Sequence, residues 1–311
     1  MTQQDVCPAC DSKNIKLLET ISTLVIAKFW SDIQQEAGDA ILSYLQAEEI
    51  PDKVYIAKCH TCGLEFGNPR FAVSGEWYQK FEQYGIRWEY GQCLQDLYTC
   101  KQEILEVGCG EGYFLELASQ KGHSIVGLDF NEEAIKVARS KNLEAYSWNL
   151  KELKNHVDKP FNAVTFFHVI EHLDEPEAFF ADLAEIMPVG SSLHFSCPGP
   201  RRFTTHLESD KKVGLRDVWD YPPFHQTRWN QESAAKILSK FGWRLEKYVE
   251  EPFHWIGISS FLVQKTSNLS EQSSLQRKAT IVTKMIQTFI PSLIYKGMSM
   301  YCMAIRENIS L

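Results

Sequence analysis

Three groups of residues in this 311-residue chain have the types and spacing needed for chemistry. The first is His168-Val-Ile-Glu171-His172, which fits H-x-x-E-H, a pattern with which one class of zinc peptidases holds and activates a metal. That use needs both histidines on a helix. Val164 to Ile170 is instead an apolar, β-rich run, and the next helix is predicted to begin near Glu175-Pro176 with Asp174 as its cap. A metallohydrolase is therefore the weaker reading of these residues.

The second group is a pair of C-x-x-C knuckles, Cys7-Pro-Ala-Cys10 and Cys59-His-Thr-Cys62. Each sets two thiolates on a tight turn with spacing that a tetrahedral Zn²⁺ accepts. Four sulfurs saturate such an ion and leave no position for substrate, so the expected role of Cys7, Cys10, Cys59 and Cys62 is structural. Two unrelated turns with free thiols, or a redox pair, are the alternatives. The 48 residues between the knuckles exceed a minimal ribbon, and Phe29 to Glu49 carries apolar residues at helical spacing, which predicts a helical insertion.

The third group is Glu106-x-Gly108-x-Gly110-x-Gly112. "EILEVGCGEGYFLELASQKG" predicts a buried strand over Ile104–Val107, a glycine turn and a helix from about Tyr113. The glycines let backbone N–H groups approach a ligand, and the helix adds about half a positive charge at its N-terminus. The next strand, "SIVGLDF", ends in Asp129, 19 residues past Gly110, where a carboxylate can accept hydrogen bonds from ribose hydroxyls. A dinucleotide G-x-G-x-x-G would need glycine at the position of Tyr113.

Positioning these groups requires a large core. Hydrophobic residues make up 44% of the chain, enough for a full α/β domain and a smaller module. The expected division is a zinc-ribbon-like module with a helical insertion over 1–70, an aromatic-rich helical lid or linker over 71–103, and an α/β core over 104–311 with a helical insertion near 252–296. In the lid, Tyr84, Trp88 or Tyr90 could close over a ligand, although packing is the simpler role. The net charge of −8 offers no broad basic field, so nucleic acid is not expected as the main partner. No run of 18 apolar residues is present, so stable membrane insertion is not expected, and the chain reads as cytoplasmic. Nine cysteines, five of them scattered, suit reduced thiols.

Taken together, acidic-x-G-x-G-x-G between strand and helix with the distal Asp129 resembles the S-adenosylmethionine site of class I methyltransferases. The resemblance runs from about Glu103 to Asn308 and implies a Rossmann-like, seven-stranded α/β core. It implies cofactor contacts from Glu106 (near the methionine amino group), Gly108, Cys109, Gly110, Gly112, Asp129 (ribose), Phe130, Phe167 and His168. Asn149 matches the adenine-contacting stretch, where aspartate is more usual. A closer resemblance joins "CPAC", "CHTCGLEFGNP" and "YPPFHQTRW" to a subgroup with an N-terminal zinc module, which includes sugar C-methyltransferases and other tailoring enzymes. Phe224 stands where that subgroup has the first histidine of its late motif. Some quinone-pathway O-methyltransferases carry a Glu-x-x-Glu-His loop associated with a divalent cation, which His168, Glu171 and His172 could imitate.

The implied reaction is O- or C-methylation of a small-molecule acceptor by in-line displacement at the sulfonium methyl. A hydroxyl or carbon acid needs a base. His225, in the Pro-rich loop, leads, with His168 beside the methyl-transfer site; pinning a loop is the structural alternative for each. His254, Tyr221 and Tyr84 are reserves, while His123, His156, His194 and His206 read as surface or packing residues. A cofactor-binding module without catalysis is the competing class. The amphipathic stretch Ala279 to Tyr295 is expected to cover the cleft or make a homodimer contact.

Overall fold

The computed structural model describes residues 6–71, 73–80, 84–97, 100–153, 155–156, 160–202, 212–213, 216–252 and 296–308. The N-terminal part consists of β1 (Ile15–Ser22), α1 (Thr23–Ile33), α2 (Gln35–Gln46), β2 (Lys53–Cys59) and β3 (Glu65–Asn68). The expected helical insertion is thus two helices, beginning earlier than Phe29. Gln34, with φ −152° and ψ 118°, is extended and breaks them apart. The bend lets Trp30 and Ile41 bury against one apolar cluster. The aromatic stretch that follows forms two short helices rather than one, α3 (Gly75–Gln79) and α4 (Trp88–Asp96).

The core then alternates strand and helix: β4 (Glu103–Val107), α5 (Tyr113–Gln120), β5 (Ser124–Leu128), α6 (Glu132–Ser140), β6 (Ala145–Tyr146), α7 (Leu150–Leu153), β7 (Ala163–Phe167), α8 (Pro176–Ile186) and β8 (Ser192–Pro198). It continues through β9 (Lys212–Val213), β10 (Arg216–Asp217), β11 (Thr227–Arg228), α9 (Gln231–Lys240), β12 (Trp243–Glu250) and β13 (Ser299–Arg306). Seven strands form one sheet in the order β12-β13-β8-β7-β4-β5-β6. β4, β5, β6, β7 and β8 run parallel, and β13 lies antiparallel between β8 and β12. β7 is buried at every residue, as a central strand covered on both faces must be. This is the Rossmann-like, seven-stranded α/β architecture that the resemblance implied.

Local chemistry sets the helix starts. Asn131 caps α6 by accepting from the N–H groups of Glu133 and Ala134. Asn230 and Ser233 form a reciprocal capping box on α9. At α8 the N-cap is Glu175, one residue later than Asp174, because Pro176 takes the first helical position. Asp174 instead accepts from the N–H of Glu175 at 2.9 Å.

Sequence-distant residues tie the two parts together. β11 pairs antiparallel with β3 and completes a four-stranded sheet with β1 and β2. Cys7, Cys59, Cys62 and Leu64 share one apolar cluster with Trp229, Ile237 and Leu238 of the core. A second cluster centres on Trp30, whose ring lies 4.9 Å from Trp77, 4.7 Å from Trp219 and 5.6 Å from Phe224. The insertion expected near 252–296, including Ala279 to Tyr295, lies outside the described residues apart from its two ends. Among the described residues no helix is long and apolar enough to cross a membrane.

Candidate active site and four-cysteine centre

At the carboxyl end of β4 the chain turns through three glycines in the left-handed region, Gly108 (φ 76°), Gly110 (φ 51°) and Gly112 (φ 82°). A side chain at Gly110 would strike the ring of Tyr84, and one at Gly108 would meet Val169. Asp129, just past β5, ties this loop in place. Its Oδ2 accepts from the Gly110 N–H and its Oδ1 from the Asn131 N–H, both at 2.8 Å. Tyr84 lies over the same loop and its hydroxyl accepts from Asn131 Nδ2 at 2.9 Å, so of the three lid aromatics this one covers the glycines. Tyr90 packs inward on Phe114 and Phe167, and Trp88 Nε1 donates to Ser299 Oγ at 2.6 Å.

The electrostatics of the loop favour a cationic ligand. Glu106 is 2% exposed, and its Oε2 has no hydrogen-bond partner. Burial pushes its carboxyl well up, and the nearby Asp129 charge adds to the rise. Burial also raises Asp129, opposed by its two backbone N–H bonds. An ammonium or sulfonium group bound here would favour the ionised form of Glu106. The residues therefore fit the cofactor that the glycine pattern implies.

The other expected contacts fall in different surroundings. Cys109 is buried beneath the loop, Phe130 is 76% exposed, and the Phe167 ring turns into the core, 4.9 Å from Phe114. Asn149 is a helix cap: its Oδ1 accepts from the N–H groups of Lys151 and Glu152 at 2.9 Å each.

The H-x-x-E-H residues do not lie on a helix suited to peptidase chemistry. β7 ends at Phe167, His168 takes a left-handed φ of 57°, and Ile170–His172 form a single 3₁₀ turn. His168 sits between two buried glutamates, with Nε2 2.8 Å from Glu89 Oε1 and Nδ1 3.2 Å from Glu171 Oε1. Burial opposes charge on this ring, but the bonds to Glu171 and Glu89 outweigh it and raise the imidazole. In turn, burial pushes Glu171 up, yet the His168 bond and charge hold its carboxyl at about 2. Burial lowers His172 to about 4, so its ring is neutral. Its Nδ1 donates to the Phe224 carbonyl at 2.7 Å.

His225 is brought to the same place from the late loop, its ring 5.0 Å from that of His172. It is 8% exposed, with Nδ1 3.4 Å from Asp220 Oδ1. Arg202 Nη2 grips both oxygens of Asp220, at 2.6 and 2.7 Å, and holds the carboxyl well below its ordinary range despite burial. An aspartate behind a histidine fixes the ring's tautomer and orientation. Tyr221 instead donates to Glu19 Oε2 at 2.8 Å, and burial raises its phenol further. His194 is a packing residue, with Tyr301 and Ser192 on its two nitrogens; His123 accepts from the Gln102 N–H and His156 stacks on Trp148. His206 and His254 lie outside the described residues. Glu89 and Asp220 carry the site's electrostatics without having been singled out in the sequence. Asp220 had one signal, its place beside the "YPPFH" loop.

The knuckle cysteines converge. The four sulfurs lie within 4.8 Å of one another, with Cys7 to Cys62 at 3.5 Å and Cys10 to Cys59 at 3.6 Å. A tetrahedron with Zn–S bonds of ~2.3 Å has S–S edges of ~3.8 Å, so the cage fits zinc. The Thr61 N–H donates to Cys59 Sγ at 3.3 Å, and the hydrogen bond from Cys62 lowers the Cys7 thiol to about 6. All nine cysteines are free of disulfides.

A glycine loop and distal aspartate on a seven-stranded, mostly parallel sheet define a nucleoside-binding α/β domain. A methyltransferase domain model matches residues 31–248, well over half of the chain, and the chain belongs to that family. A probable S-adenosylmethionine-dependent methyltransferase of Mycolicibacterium smegmatis is 27% identical over 160 residues, which are 51% of this chain and 58% of that protein. A ubiquinone biosynthesis O-methyltransferase of Hahella chejuensis is 31% identical over 101 residues, 30% of this chain and 42% of that one. The chain thus spans about half the length of the curated relatives it matches. A crystal structure of a SAM dependent methyltransferase from Archaeoglobus fulgidus aligns with 75% of this chain and 100% of its own, at 20% identity and a TM-score of 0.47.

Proposed function

We propose that the chain transfers a methyl group from S-adenosylmethionine to a small-molecule acceptor, with O- or C-methylation favoured and sugars, nucleotide sugars or other tailored metabolites as the acceptor class. The observation that carries this reading is the buried, unpartnered Glu106 oxygen beside three left-handed glycines and the loop-tying Asp129. Glu106 would face the methionine ammonium, Asp129 the ribose hydroxyls, and the amide of Asn149 the adenine. When bound, the cofactor supplies an activated methyl, so the protein mainly positions two reactants, an effect of up to about 7–11 kcal/mol, and takes up a proton.

His225 is the proposed base. Asp220 on Nδ1 leaves Nε2 to accept the acceptor proton as the acceptor oxygen or carbon attacks the methyl. His168, held between Glu89 and Glu171, keeps the end of β7 in its left-handed turn beside the reacting centre. The four cysteines bind a structural Zn²⁺, the feature shared with the sugar C-methyltransferase-like subgroup. Calorimetry on zinc-loaded protein should show S-adenosylmethionine binding, and its absence would end this reading. In a methyl-transfer screen over nucleotide sugars and hydroxylated metabolites, His225→Gln should lower kcat on a hydroxyl acceptor by roughly 10²–10⁴ with cofactor affinity kept. Wild-type turnover by that variant would remove His225 as base.

A further inference from the structure

The short β3–β11 ladder that joins the two parts of the chain also carries charge. Thr227 on β11 accepts from Trp229 Nε1 at 2.8 Å and faces the core, so alternation along the strand turns Arg228 to the opposite face. There Arg228 lines a recess with Glu65, its partner across the ladder, and with Arg216 of β10, Asp220 and His225. The space is about 170 Å³ in all and opens to solvent. Its closed part, about 10 Å³, holds one water-sized group.

The charges around this recess do not cancel. Ion pairs within 4.0 Å join Lys58, Arg202, Arg216 and Arg228 to only three carboxylates, Glu19, Glu65 and Asp220. Arg228 is the cation left over. Lys58 and Arg216 reach Glu65 at 3.2 and 2.7 Å, and Arg202 holds both oxygens of Asp220. Arg228 Nη1 stands 3.6 Å from Glu65 Oε2 and 4.0 Å from Asp220 Oδ2, too far for a hydrogen bond, and its side chain makes none among the described residues. Arg216 Nε is likewise buried without a hydrogen-bond partner, 4.0 Å from Glu19 Oε2. Burial lowers the Arg228 guanidinium, and the charges of Arg202 and Arg216 act in the same direction against Asp220 and Glu65. Enclosed donors left unbonded are costly, and an added anion would satisfy them.

We propose that Arg228 and Arg216 form an anion subsite for a phosphoryl group of the acceptor, with one oxygen inside the recess and the rest of the group at its mouth. The planar guanidinium fork matches phosphate oxygens, and a phosphoryl group has enough of them to meet both arginines. A carboxylate satisfies one fork only, and Glu65 and Asp220 repel an anion held so loosely. His225 lines the same recess, so the subsite holds the acceptor beside the proposed base. Of the proposed acceptor classes, this selects those that carry phosphate, such as nucleotide sugars, over neutral hydroxylated metabolites. That selection rests on the methyl-transfer reading, whereas the subsite itself rests on the two arginines and their partners.

The test is calorimetric titration of the zinc-loaded full chain with pyrophosphate, inorganic phosphate and acetate. One pyrophosphate should bind per chain, with acetate at least about tenfold weaker. Phosphate about tenfold weaker than pyrophosphate assigns a diphosphate acceptor, and equal affinities assign a phosphomonoester. Arg228→Gln should weaken pyrophosphate at least about tenfold, and Arg228→Lys, which keeps the charge without the fork, should restore only part of the affinity. A second measurement uses the wild type, since Arg228 is enclosed and its variants could unfold. Pyrophosphate should slow phenylglyoxal modification of Arg228, mapped by mass spectrometry, and leave Arg201 and Arg244 unchanged; their side chains are 53% and 56% exposed. No pyrophosphate binding, acetate binding as tight as pyrophosphate, or no protection of Arg228 overturns the proposal. Pyrophosphate bound at Arg228 with no S-adenosylmethionine binding would keep the subsite and end the methyl-transfer reading. The reverse result would keep that reading and end the subsite.

Discussion

Asp129→Ala tests whether the glycine loop is a ribose site or only a turn. Each Asp129 oxygen accepts one backbone N–H at 2.8 Å, from Gly110 and from Asn131, and each keeps a lone pair for a ligand. Hydrogen bonds to a charged group contribute about 1.5–3 kcal/mol each. Truncation removes two such acceptors from the ribose and also leaves two N–H groups unsatisfied in the free protein. Part of the total therefore appears as lost stability, and about 3 kcal/mol should appear in cofactor affinity, a Kd raised ~100-fold. Calorimetry with S-adenosylmethionine and with methylthioadenosine separates the parts of the site. Asp129→Ala should weaken both ligands alike. Glu106→Gln should weaken only S-adenosylmethionine, because methylthioadenosine lacks the ammonium group. A folded Asp129→Ala protein whose affinity stays within about threefold of wild type would show that the carboxylate only ties the loop and that the ribose lies elsewhere.

Two further outcomes follow from the titrating groups and the cysteines. His172 is held at about 4 in the fold against an ordinary 6.5, so between those values the unfolded chain binds the extra proton and stability falls as pH falls. Glu171, held at about 2 against an ordinary 4.5, adds a second loss below that window. Urea unfolding should show about 2 kcal/mol less stability at pH 5 than at pH 7 from His172, and His172→Gln should flatten that difference; a slope unchanged by the variant refutes the assignment. At the four-cysteine centre, zinc binding on the order of 10–16 kcal/mol is comparable with the whole stability of a domain. Cys59→Ser should lower bound zinc from one per chain towards none and lower the thermal midpoint. The loss should reach α9, because Cys59 shares an apolar cluster with Ile237 and Leu238. A zinc-free protein with a wild-type midpoint would sink the structural role.

What could be read from the sequence is what local physics decides. Left-handed backbone at 108, 110 and 112 needs glycine at each position, and Asn131 has the side chain of a helix cap, so the glycine loop and its flanking elements were legible in one stretch. The converging knuckles were legible for a similar reason, since each pair lies on its own turn. β11 was not: two residues make a strand only because β3, more than 150 positions earlier, offers a free edge. Glu89 was equally hidden, because its one distinguishing partner, His168, is 79 residues away. Phe224 explains the departure from the double-histidine motif. Its ring fills the cluster around Trp30, and its carbonyl still orients His172.

The H-x-x-E-H stretch shows why residue spacing can mislead about chemistry. At helical spacing two histidines four apart would share a metal, but that inference assumes the backbone carries them onto one face. Here β7 must first end at the sheet edge, and the left-handed turn at His168 sends the two rings to different partners. His168 is drawn to Glu89 and held by two carboxylates, whereas His172 meets a histidine from another loop. The helical geometry that the pattern presupposes is therefore absent, and the ring that His172 meets, His225, comes from a distant loop that no local reading of the motif supplies.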